Sequence, residues 1–131
     1  MINTAKIEGY LINIGVSFDS LDEVTWIIND DDRGLRNFLV IAEEPLVILR
    51  VKVMEQPAER KEEFFRQLLS LNASDLIHGA YAMDRDDVIL IDTLEYDSMD
   101  QEEFQASLEA MGLALAQHYH LLAEYRDTKK Q

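Results

Sequence analysis

The chain has 131 residues, no cysteine, and 12 Lys and Arg against 26 Asp and Glu, for a net charge of −14. A chain of this length buries a sizeable core without staples, and the missing thiols exclude disulfides, thiolate metal sites and a cysteine nucleophile. The negative charge repels phosphate backbones and anionic lipid. No apolar run approaches the roughly 18 residues of a membrane helix and no signal-peptide pattern opens the sequence, so a cytoplasmic protein with no nucleic-acid or membrane partner is expected.

Ile7, Tyr10, Leu11 and Ile14 fall at helical spacing, with Thr4 to cap them and Gly15 to stop them, which predicts a helix over 3–14. Thr25 to Ile28, Phe38 to Ala42 and Leu46 to Met54 predict three strands, the first two separated by the polar turn 29–34. In the third, Val47, Leu49, Val51 and Val53 alternate with Ile48, Arg50 and Lys52, the period of a sheet with one face packed and one partly wet. Trp26, Ile27 and Ile28 place bulky apolar groups on both faces of their strand, so one of them belongs to the less covered side.

Pro57 opens a second helix, with Asn72 as its terminator. Its apolar positions, Phe64, Phe65, Leu68, Leu69 and Leu71, occupy more than one face. Such a helix is either deeply buried or covered by a second copy of the chain, and Phe64, Phe65 and Leu68 are the candidate contacts of a homodimer. Ile77 to Met83 and Val88 to Tyr96 flank Asp84-Arg85-Asp86-Asp87 as a hairpin. Phe104, Leu108, Met111, Leu115 and Leu122 form one stripe of a closing helix beside the small residues Ala106, Ala110 and Ala114, and 127–131 read as a frayed tail. The order helix, three strands, helix, two strands, helix predicts one α+β domain over 1–131, with helices packed on a mostly antiparallel sheet.

The acidic stretch 84–103 tempts a calcium-loop reading, since Asp84, Asp86 and Glu95 match positions one, three and twelve. Val88 and Ile89 stand where such a loop needs a ligand and a glycine, so a solvated hairpin tip is the better reading. Asp30, Asp31 and Asp32 read likewise as a hydrated turn. On a helix His118 and His120 lie about 200° apart and do not share an ion, and His78 stands alone. No nucleophile elbow and no phosphate loop occurs, so no catalytic, cofactor or metal residue is assigned and no cofactor is expected.

The run 68–111 resembles the YbjN-type family and, more distantly, the class I type III secretion chaperones. The residues that carry the likeness are Leu69 and Leu71 before Asn72, Gly79, Asp84 and Asp86, Leu90 and Leu94, then Asp100, Phe104 and Leu108. The resemblance implies an α+β domain with the first and last helices on one face of a twisted sheet, a domain often dimeric through the middle helix and adjacent strand. It also implies either a chaperone that holds an extended client segment or a regulator of bacterial signalling. A non-enzymatic protein-binding module is therefore the first expectation. A metal- or small-molecule-binding regulator that uses Asp30, Asp31, Asp32, Asp84, Asp86 and Asp87, should the two turns meet, is the alternative; an enzyme assembled from distant residues comes last.

Overall fold

Asn3 caps the first helix by accepting the N–H of Ala5, one residue ahead of the expected Thr4, which is the first helical residue. The computed structural model describes residues 2–126, so the tail 127–131 lies outside the described residues. The helix α1 (Thr4–Ile14) ends where Gly15 adopts a left-handed conformation (φ 85°) and returns its N–H to Leu11 and Ile12. Then come β1 (Phe18–Asp22), β2 (Thr25–Asp30), a single 3-10 turn (Asp31–Arg33), β3 (Leu35–Glu43) and β4 (Leu46–Glu55). The helix α2 (Lys61–Ser74), the hairpin β5 (Ala80–Asp84) and β6 (Asp87–Glu95), and the long helix α3 (Gln101–Ala123) complete the chain.

Four strands therefore precede α2, where the sequence predicts three. The extra one, β1, reads Phe-Asp-Ser-Leu-Asp and is exposed along nearly its whole length, so it carries none of the apolar alternation by which a strand is recognised. Register with β2 holds it, and Asp22 accepts the N–H of Val24 to close the turn between them. Three other boundaries move for local reasons. The helix α2 starts four residues after Pro57, behind Arg60 in the left-handed region (φ 61°). It also runs past Asn72, whose side chain is engaged elsewhere. Ile77 is 83% exposed and precedes β5.

All strand pairs are antiparallel, in the order β1-β2-β3-β4-β6-β5. The inward rows of β2, β3, β4 and β6 carry Trp26, Ile28, Phe38, Val40, Leu49, Val51 and Leu90, all buried, and these join Ile7 and Leu11 of α1, Phe64 and Leu68 of α2, and Phe104, Leu108 and Met111 of α3 in one core. Trp26 also donates its indole N–H to Glu8 at 2.9 Å, so the largest core side chain has its one donor satisfied.

Helix α3 crosses the 3-10 turn at Gly112. A β-carbon placed there would lie 2.2 Å from the carbonyl oxygen of Arg33, so only glycine permits this approach. The turn is anchored from its other side as well. Arg33 donates to Asp30 at 2.8 Å and to the carbonyl of Ile14, the last residue of α1, at 3.0 Å. One arginine thus fixes the end of α1 to the tip of the β2–β3 hairpin.

Candidate functional site: the open face of the sheet

Paired residues of an antiparallel sheet point to the same side, so the register identifies the second face of the sheet directly. One row runs Ile27, Leu39, Arg50, Ile91, Ala80 from β2 to β5; the next runs Thr25, Ile41, Ile48, Thr93; a third carries Lys52, Ile89 and Ala82. The residues of these rows do not belong to the core cluster, and the buried residues of all three helices do. The helices therefore cover one side only. Ile27, Leu39, Ile41, Ile48 and Ile91 form a contiguous apolar surface, each half-buried, and among the described residues no helix packs over them.

Arg50 crosses this face. It starts on β4 and meets Asp84 on β5 at 2.8 Å, so its side chain spans β6, where Ile89 beneath it is only 4% exposed. The hydrogen bond from Arg50, with the positive charges of Arg50 and Arg85, holds the Asp84 carboxyl below its usual range. Apolar surface thus remains bare on the β2, β3 and β4 side and is strapped over on the β5 side.

The edges of the sheet are less open. Strand β1 is short and carries Asp19 and Asp22, a charged edge that discourages pairing. At the other edge Asn72 of α2 accepts the N–H of Tyr81 at 2.7 Å and donates to its carbonyl at 3.1 Å, which replaces a neighbouring strand at that residue.

The acidic turns 30–32 and 84–87 do lie at the same end of the sheet, because β2 and β5 both run toward it. They do not converge, since β3, β4 and β6 stand between them. Their carboxylates are taken by cations and amides: Asp30 by Arg33, Asp31 by Arg36, Asp84 by Arg50, Asp86 by Gln56 and Asp87 by Lys52. Among the described residues no three acidic or histidine side chains are placed to share an ion.

The CesT_Tir_1 family, one of type III chaperones, matches residues 2–128. The chain belongs to the CesT_Tir_1 family. No curated protein matches it by sequence. Among solved structures it is similar to YbjN of E. coli, with a TM-score of 0.66 and 14% identity over 91% of this chain and 93% of that one. It is also similar to a chain of the heterodimeric ExoU-SpcU complex from the type III secretion system of Pseudomonas aeruginosa, with a TM-score of 0.67 and 18% identity over 89% and 95%. A third likeness is to a chain of the HopA1-SchA chaperone-effector complex, with a TM-score of 0.60 and 8% identity over 94% and 91%. The YbjN-like, secretion-chaperone-like fold expected from the run 68–111 is thus the fold found.

Two polar clusters of this CesT_Tir_1 protein lie away from the open face. In one, the buried His118 of α3 sits between the Tyr81 hydroxyl, 2.7 Å from Nδ1, and Asp75 at the end of α2, 3.3 Å from Nε2. Burial pushes the Tyr81 phenol well above its ordinary pKa, and the Asp75 charge adds to the effect. The contacts join α2, α3 and β5. The sequence reading left His118 without a partner, because Tyr81 is 37 residues away and nothing local signals the pairing.

In the second cluster, the fully buried Ser107 donates to Asp92 at 2.6 Å, and His78 Nδ1 lies 3.9 Å from the same carboxylate. These are the residue types of a hydrolase triad in the wrong order. Nucleophilic serine chemistry needs the imidazole next to the hydroxyl, whereas here the carboxylate stands between them.

Of the expected dimer contacts, Phe64 and Leu68 face the chain's own core, with 0% and 5% exposure, and Phe65 is half-buried. Phe64 packs edge-on against Tyr125 with ring centroids 5.1 Å apart. On the outward side of the same helix Leu69 is exposed, as is Ile77 in the segment between α2 and β5. Among the described residues no helix is long and apolar enough to cross a membrane.

Proposed function

We propose that this protein is a non-enzymatic chaperone that holds an extended, apolar segment of a protein partner against the open face of its sheet. The observation that carries the reading is the row of Ile27, Leu39, Ile41, Ile48 and Ile91, a continuous apolar surface on a domain whose net charge is −14. Burial of such a surface supplies affinity, and an extended segment suits a flat face whose own edges are charged or plugged. Family membership supports the chaperone class, and the ordered Ser-Asp-His arrangement described above lends no support to catalysis. A role in bacterial signalling would follow if the partner were itself a regulator.

The same proposal includes a homodimer that uses the outward side of α2. Exposed Leu69 and half-buried Phe65, four residues apart on one side of the helix, are the apolar positions that a second copy would cover. This leaves the sheet face of each copy free for a client.

The test is affinity purification of the tagged protein from its native cells, with mass spectrometry of what remains bound. A stoichiometric partner is expected with the natural sequence and should be lost with Ile48→Asp or Leu39→Asp. Both substitutions sit outside the core cluster, so each variant should remain folded, at a melting temperature lowered by the loss of a half-buried strand side chain. A partner that stays bound to both variants would move the docking surface elsewhere.

A further inference from the structure

The sheet opens a second concavity, on its helical side. Strand β3 pairs with β4 only from Leu39 to Glu43; ahead of Leu39 the two strands part. Both lips are distorted. Asn37 is left-handed (φ 53°) and gives its N–H to the Asn29 side chain at 2.9 Å instead of to a backbone carbonyl, and β4 carries a register shift between Lys52 and Met54. The C-terminal half of α3 lies over the gap and encloses a cleft of about 660 Å³, within the size range of small-molecule sites.

The cleft is walled by Val53, Leu115, Ala116 and Tyr119, whose apolar atoms reach its surface, with the buried Leu35, Val51 and Leu122 packed behind them. Its rim bears Arg36 and Arg126, with Asp31 and His120 beside them. Arg36 meets Asp31 at 2.8 Å, but the two side chains are 75% and 80% exposed, so water screens the pair and a ligand competes for it readily. Among the described residues Arg126 meets no carboxylate within ion-pair distance; its guanidinium lies over the Tyr119 ring at 5.7 Å. Two arginines at the mouth of an aliphatic cleft, on a chain with more than twice as many acids as bases, form a local reversal of charge.

We infer that this cleft binds a small anionic amphiphile, a carboxylate-headed molecule whose aliphatic chain lies against Val53, Leu115, Ala116 and Tyr119 and whose head meets Arg36 and Arg126. The cleft adjoins the open face at Lys52, which lines both, but it uses none of Ile27, Leu39, Ile41, Ile48 and Ile91, so each proposal stands or falls on its own variants.

Decanoate and 1-decanol, which differ at the head group alone, are the probes, read by calorimetry and by amide NMR shifts on the full chain. Decanoate should saturate a single site, with shifts at residues 35–36, 51–53 and 115–122, and decanol should bind about tenfold more weakly for want of charge-assisted hydrogen bonds. Arg126→Ala and Arg36→Ala should each weaken decanoate by about threefold, so that together they account for the tenfold head-group preference, and leave decanol unchanged. Ala116→Trp, at an exposed helix position on the cleft wall, should abolish both, while Ile48→Asp on the other face should change neither. Failure of decanoate to saturate at millimolar concentration overturns the inference. So does equal affinity for decanol, or a shift pattern centred on the open face.

Discussion

Replacing Gly112 by alanine sets two effects of known sign against each other. Within a helix, alanine is favoured over glycine by about 1 kcal/mol, so on local grounds the variant should be more stable. At this position the new β-carbon lies 2.2 Å from the Arg33 carbonyl oxygen, and contacts shorter than 3.0 Å essentially do not occur, so α3 and the 3-10 turn must separate by 0.8 Å (3.0 − 2.2). The obstacle is backbone, held by the Asp30 cap and by Arg33's bonds to Asp30 and Ile14, and no side chain can swing aside to relieve it. Overpacking of this kind costs roughly 1–3 kcal/mol and reaches the upper part of that range when the backbone must move, so the net expectation is a loss of about 1–2 kcal/mol. With a urea slope of about 2 kcal/mol/M, the unfolding midpoint should fall by roughly 0.5–1 M. Gly9→Ala is the matched control: it lies within α1, nothing stands within 4 Å of the added carbon, and it should gain about 0.5–1 kcal/mol. Opposite shifts are expected from the same substitution in two helices. If Gly112→Ala unfolds at or above the parent's midpoint, α3 does not approach the turn as described.

Leu108→Ala, at a fully buried position, should cost about 2–5 kcal/mol in the same assay, and Leu115→Ala, half-buried on the cleft wall, should cost less. Tyr81→Phe strips a hydrogen-bond partner from buried His118 and should cost about 1–3 kcal/mol at neutral pH. The same tyrosine predicts a pH dependence. Its folded pKa is raised above the unfolded value of about 10, so its contribution is whole below that pH and is lost as pH rises beyond it, by up to about 1.4 kcal/mol per pH unit. The parent's urea midpoint should therefore fall more steeply above pH 10 than that of Tyr81→Phe, and parallel slopes would show that the phenol is not buried as described. Phe65→Glu should convert a dimer to monomer in sedimentation without unfolding the chain; a folded dimer that survives it places the contact away from α2.

What was legible in the sequence is what periodicity encodes. The alternation through Val47, Leu49 and Val51 fixed the buried face of β4, and the four- and three-residue spacings of Phe104, Leu108 and Met111 fixed the core side of α3. The strand β1 escaped because an exposed edge strand has no face to bury and thus no pattern. The bare face was half visible in Ile27 and Ile48, but whether a helix roofs those residues depends on which side all three helices choose, and that is a decision of the whole chain. His118, Asn72 and Gly112 acquire their roles from partners in distant elements. A glycine in a helix and an asparagine near a helix end look alike in any sequence until the approaching backbone is known.

Asn72 has a consequence beyond its two bonds to Tyr81. A six-stranded sheet needs a way to stop, and here the stop is one amide on a helix that imitates the donor and acceptor spacing of a missing strand. At Tyr81 the β5 border of the sheet therefore depends on a single rotamer. A change as small as Asn72→Leu would leave the core intact yet turn a finished border into a growth point, so the first symptom of that lesion should be chain-to-chain assembly at high concentration, well before any loss of fold.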